Sequence, residues 1–376
     1  MKASEVNDKV GKSPVTFAGY RSLADIALFE PSSGSQSILA HTFLTLCWNL
    51  TARATTVSTL LWNNIGWSED CLTVMYEKGK THQDGAKKIP QHVYANPEDP
   101  VICPILALGL KLCCEPFVSE ESGALHVFPS SAPDKAFSNW LGKRLEKNRK
   151  RTGIRFDFCP DDIWTHYFRK GGATYVVGIT GGPDSDAVKL RIEHTLGGCD
   201  DIYIRREAGA DKYVGRAVAG LDANSLKFSA LPPHFISIPE NIEDVIPVCT
   251  VKNAGNSLKS AFPFLIASVL YHWEWLVKNL PSHHPFFGSI IYLCRFDLQW
   301  KHLIVTGYFF NELSGIRASG IPLSIKTLAA MEELLRTIIN TPGETAKIVL
   351  EGISSAHNVQ ILSNLLKVTS NHFWMA

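Results

Sequence analysis

Two pairs of residues near the middle of this 376-residue chain have types and spacing suited to handling a negatively charged centre. His166 and Arg169 stand three apart, which on a helix puts an imidazole and a guanidinium on one face. A Gly/Pro/Asp break from Gly181 to Ser185 leads into a second basic helix and then to His194. Nine residues beyond His194, past Gly197-Gly198, sits Tyr203. A phenol has a reference pKa of ~10, so it attacks only when a neighbour takes its proton or a strong positive field surrounds it. Planar, always-charged guanidinium forks suit the paired oxygens of a phosphate ester, which gain negative charge as phosphorus is attacked. That chemistry asks for a second arginine from another part of the chain.

The stretch from His41 to Thr59, HTFLTLCWNLTARATTVST, supplies one. Its apolar run predicts a helix reaching Trp48 and Leu50, and Arg53 then stands at the start of a further helical segment. LLWNNIGW leads on to CLTVMYEKGKTHQDG, which alternates like a strand from Cys71 to Tyr76 and ends in a polar turn with Lys78 and Lys80.

The order His-x-x-Arg, His, then Tyr nine later resembles one half of the tyrosine recombinase active site. Arg53 followed by a strand and a lysine-bearing turn resembles the other half. The segments WNLTARA, KGKTHQDG, HVYANPEDPVICPILALGL and GADKYVGRAVAGL look like the recombinases of Crypton-type mobile elements of protists, from about His41 to Leu221 and more loosely through LPPHF. Six positions carry over residue by residue: Arg53, Lys80, His166, Arg169, His194 and Tyr203. His82 departs from the pattern, standing where the matching turn has an acidic residue.

The resemblance implies that Tyr203 attacks the scissile phosphate, giving a 3′-phosphotyrosyl link and a free 5′ hydroxyl. Arg53 and Arg169 would hold the non-bridging oxygens and His194 would add a hydrogen bond. His166 would assist proton removal from the phenol, and Lys80, or Lys78 in its place, would protonate the leaving oxygen. It implies double-stranded DNA as the substrate, four protomers around two duplexes, and no metal or other cofactor. The implied fold is mostly α-helical with a small antiparallel β-sheet.

Taken singly, each residue has an ordinary structural reading. An H-x-x-R pair is commonly a surface pair, a lone histidine a helix end, a lone tyrosine part of the core, and Arg53 a carboxylate partner. Tyr213 is a rival nucleophile that misses the nine-residue spacing. Two other functions fit the same residues: a DNA-binding protein that keeps the fold without cutting, and an enzyme like type IB topoisomerases, which share the chemistry but need no synapsis.

Composition narrows the field. The chain is 45% apolar and 19% charged, ample for a buried core and without low-complexity runs. Nine scattered cysteines include no C-x-x-C pair, which argues for a reducing compartment and against zinc. The amino terminus has no apolar signal core, and the longest apolar run, Ala261 to Leu276, is broken by His272 and Glu274. A nuclear or cytoplasmic protein, neither secreted nor membrane-spanning, is the expectation. The net charge is only +1, so any contact with DNA must be local. Lys143 to Arg155 carries seven basic residues against Glu146, and Lys143, Arg144, Lys147, Arg149, Lys150 and Arg151, with Lys170, are the candidate DNA contacts. Lys189, Arg191, Arg205, Arg206 and Arg216 add to this positive charge.

The expected organisation is a polar leader over residues 1–37, a catalytic domain over 38–221, a Pro-rich linker over 222–241 and a helical accessory domain over 242–376. Recombinase catalytic domains follow a helical clamp domain. The leader has no room for one, so the chain is expected to be a fragment or decayed copy, or to use its carboxy-terminal part for that duty.

Overall fold

A computed structural model describes residues 14–29, 34–76, 90–115, 125–150, 166–192, 208–246 and 256–340. Those residues are mostly helical with small antiparallel sheets. The chain divides into two compact units, Met1–Ile321 and Pro322–Ala376.

The first unit is organised around α2 (Gly34–Asn49), which is apolar on almost every side and correspondingly buried. Against it pack α1 (Phe17–Phe29), α4 (Pro104–Cys114), α5 (Pro133–Lys150) and α6 (His166–Val177). The expected leader thus contributes core: Tyr20 of α1 is fully buried and its ring stacks on Trp48, 4.3 Å between centroids. Aromatic pairs of this kind add about 0.5–1.5 kcal/mol beyond the area they bury.

After α2 the chain makes a short helix, α3 (Ala54–Ser58), and then a three-stranded antiparallel sheet. Its strands are β1 (Ile65–Ser68), β2 (Cys71–Val74) and β3 (Gln91–Val93), in that order. Ile65 pairs with Val74 and Leu72 with Val93; the strand read from Cys71 onward is present, with Cys71, Leu72 and Val74 buried and Thr73 half-buried. Two helices follow α6: α7 (Ser185–Arg191), capped by the Asp184 side chain accepting from Ala187 N–H at 2.8 Å, and α8 (Ala208–Val218).

Residues 222–241 are not a linker. Within them β4 (Ala230–Phe235) is buried along its whole length and pairs with β5 (Ile304–Tyr308). Pro232 and Pro233 fall at the register shift between Leu231 and His234, where their missing N–H groups cost no ladder bond. Nor does a separate domain begin at 242, because α9 (Asn256–Tyr271) packs on β1, β4 and α4. The crossing with α4 depends on Gly109, where a Cβ would come within 2.6 Å of the Leu265 carbonyl oxygen. Further short helices lie between α9 and β5. The second unit holds one described helix, Leu323–Asn340. Among the described residues no helix is long and apolar enough to cross a membrane, and no three His, Cys, Asp or Glu side chains cluster as metal ligands.

Candidate active site

Arg53 is placed by the way α2 ends. The Ala52 N–H bonds the Cys47 carbonyl at 3.2 Å and the Thr51 N–H bonds the Trp48 carbonyl at 2.9 Å, the paired bonds of a Schellman turn. The left-handed position in such a turn is usually glycine; here Thr51 occupies it with φ of +46°. Arg53 follows in extended conformation (φ −71°, ψ 146°) as the N-cap of α3. It is half-buried, and among the described residues its guanidinium has no hydrogen-bond or ion-pair partner.

Arg169 lies on a helix that packs against the same turn. Positions 166, 169 and 172 recur every three residues along one stripe of α6. Gly171 and Gly172 let that stripe approach α2 closely. A Cβ on Gly171 would collide with the Val15 carbonyl, and one on Gly172 would stand 3.0 Å from Thr51 Cγ2 and 3.2 Å from the Trp48 carbonyl. The Arg53 turn therefore lies against α6 one helical turn from Arg169. Tyr167 and Phe168 are buried, Arg169 is half-buried and Lys170 exposed. The Arg169 guanidinium donates to the carbonyl of Ile192, at the end of α7.

Of the other expected site residues, His166 opens α6 in the backbone, while Lys80, Lys78, His194 and Tyr203 lie outside the described residues. Among the expected DNA contacts, Lys143 and Lys147 are exposed and Arg144 half-buried on α5, which packs against α2 and α3. Arg149 and Lys150 lie on α5 with side chains outside the described set, as is Arg151 altogether. The rival Tyr213 donates its hydroxyl to the Gly181 carbonyl, and burial pushes its phenol above the ordinary value, the wrong direction for a nucleophile.

Two arginines counted as surface charge are internal. Arg216 pairs with buried Asp70, donates to the carbonyls of Phe228 (2.8 Å) and Ala230 (3.0 Å), and lies 4.4 Å over the Tyr94 ring. Arg191, only 1% exposed, pairs with Asp211 at 2.8 Å and donates to the carbonyls of Asn49 (2.8 Å) and His92 (3.0 Å). Asp211 also accepts from the His92 backbone N–H and from Nδ1–H of its ring, both at 2.8 Å. Burial alone would raise the Asp211 carboxyl, but the Arg191 guanidinium and the His92 bonds outweigh it and hold it at about 2. Sequence reasoning passed over this cluster. Its one local signal is that Arg191 follows Ala187 and Val188 on the buried face of α7.

No protein-family profile matches the chain, and no curated protein sequence matches it. Two solved structures share part of its backbone path. One is an Flpe mutant in complex with a DNA Holliday junction, at TM-score 0.38 and 9% identity, covering 74% of this chain and 64% of that one. The other is an FLP recombinase–Holliday junction complex, at TM-score 0.36 and 9% identity, covering 74% and 63%. The chain spans less than two thirds of the length of either, and at these scores the likeness assigns no residue a role.

Proposed function

We propose that this chain cuts and rejoins double-stranded DNA at specific sites through a covalent tyrosyl intermediate, in the manner of mobile-element recombinases. The observation that carries the reading is the packing of the Arg53 turn on α6 beside Arg169, two guanidinium-bearing segments far apart in sequence. Two forks converging on one phosphate would stabilise the charge that develops on its non-bridging oxygens. Tyr203 is the nucleophile, leaving a 3′-phosphotyrosyl ester and a 5′ hydroxyl. His166 assists removal of the phenolic proton, His194 bonds the phosphate, and Lys80 protonates the leaving oxygen. The ester conserves the bond energy, so religation by the 5′ hydroxyl needs no nucleotide. Lys143, Lys147 and Lys170, all exposed, are offered to the duplex backbone. Pairs of protomers around two duplexes would complete strand exchange, in the nucleus or cytoplasm.

The test uses duplexes of randomised sequence carrying a nick, so that the short strand beyond a cut diffuses away and the protein stays linked. Wild-type protein is expected to yield a denaturant-resistant protein–DNA adduct, absent in Tyr203→Phe. Duplex binding by wild type with no adduct would leave a DNA-binding module and end the strand-exchange reading.

A further inference from the structure

We infer that the buried Arg191–Asp211 pair is the positioning element of this site, holding the Arg53 turn, the end of α7 that Arg169 bonds and the first turn of α8 in one frame. The inference deepens the phosphotyrosyl reading and rests on it. Arg191 and Asp211 are twenty residues apart, and the sequence between them contains His194 and Tyr203. Their 2.8 Å bond joins the residue three before His194 to one in the first turn of α8.

The same guanidinium reaches the rest of the site. One Nη2 bond, 2.8 Å, goes to the carbonyl of Asn49, the last residue of α2, where helix carbonyls lack intrahelical partners and the helix end is partially negative. Thr51 and Arg53 follow within four residues. The carbonyl of Arg191 itself accepts from Gln91 Nε2 at 2.9 Å, and the next carbonyl, of Ile192, accepts from Arg169. The Arg191 side chain thus fixes peptide groups bordering the Arg53 turn, β3 and α8, while the carbonyl that Arg169 bonds belongs to the next residue along the main chain.

Stability alone does not explain the choice of residues. A buried ion pair commonly adds no more than well-packed apolar side chains of the same volume. What a guanidinium adds is direction, because its donors lie in one plane at fixed angles and accept only one arrangement of the carbonyls around them. Lysine has the charge without the fork, and asparagine at 211 has the shape without the charge.

The experiment measures single-turnover adduct formation on a nicked duplex that wild type cleaves, across a range of protein concentrations, for wild type, Arg191→Lys and Asp211→Asn. Each is melted in parallel to set an assay temperature at which it is folded. A misplacement of about 1 Å at a reacting centre costs on the order of 100-fold, so the maximal rate is expected to fall roughly 10- to 100-fold while the half-saturating concentration stays within about twofold. A maximal rate close to wild type in either folded variant overturns the positioning role and leaves the phosphotyrosyl reading standing. A loss that only follows the folded fraction, or that appears as weaker DNA binding, overturns it equally. Absence of an adduct with wild type on every duplex removes both.

Discussion

Thr51 keeps a β-branched side chain in left-handed backbone at φ +46°, at a cost on the order of 1–2 kcal/mol, and its methyl lies where Gly172 leaves room. Strain of this kind persists where its surroundings over-determine it, and here it sits two residues before a proposed phosphate ligand. Buried histidines set the acid limit of the fold. Burial holds His41, His272 and His284 at about 4, even though His41 Nε2 donates to the Val101 carbonyl at 2.7 Å. Their folded values lie below the ordinary ~6.5, so the stability they contribute is complete above that pH and is lost as pH falls toward about 4. One such histidine removes on the order of 3 kcal/mol, and two would use up most of a typical domain stability of roughly 5–15 kcal/mol. Asp211, held at about 2, titrates below this window, so its pair with Arg191 outlasts the histidines on acidification. Urea midpoints are therefore expected to be level above pH 7 and to drop steeply between pH 6.5 and about 4.5. Midpoints that stay constant over that range would contradict the buried neutral histidines.

The helix contacts that build the site are set by small residues on one partner. At α4 and α9 the constraint is backbone against backbone: a Cβ on Gly109 meets the Leu265 carbonyl oxygen at 2.6 Å and Val269 Cγ2 at 2.8 Å. A carbonyl in mid-helix cannot rotate aside, so Gly109→Ala has to separate the two helices. The alanine gains up to about 1 kcal/mol in helix propensity, against about 1–3 kcal/mol for overpacking. A net destabilisation of about 1–2 kcal/mol in urea titrations is the expected result. An alanine variant as stable as wild type would mean the two helices are not held at this spacing. Gly171 and Gly172 do the same for α6, which is why the lysine-glycine-glycine run follows Arg169 directly.

Across the molecule, the small net charge and the position of the last strand are connected. Arg191 and Arg216 are both interior, so of the basic residues proposed to meet DNA, those exposed among the described residues are Lys143, Lys147 and Lys170 on α5 and α6. Arg216 ties α8 to β4 and to the segment at Ser319, whose carbonyl accepts from it at 2.5 Å and whose N–H and hydroxyl both bond Asp70. The proposed catalytic half therefore needs sequence from beyond 300 to finish its core. A fragment ending at Asn241 would strip β5 from the fully buried β4 and uncover the α9-facing sides of β1 and α4. It is expected to aggregate or to melt without cooperativity in calorimetry. A cooperative transition from that fragment would restore the division first read at 241.

Local pattern was enough for most elements, because the 3.6- and 2-residue periods of helices and strands are written in neighbouring residues. The helix reaching Trp48 and Leu50, the strand from Cys71 and the placing of Arg53 at a helix start were all legible that way. Pro232 and Pro233 misled because proline marks a break by its chemistry, while its tolerance in a bulged, two-stranded sheet depends on a partner strand some seventy residues on. Arg191 and Arg216 misled because a charged residue reads as solvated until its partners are known. Those of Arg191 lie 20, 99 and 142 residues away in the chain, a separation no local period encodes. What the amino-acid order determined alone was the inventory of helices, strands and candidate phosphate ligands; only tertiary packing decided which arginines are interior and which stay part-exposed, since burial is a property of the fold.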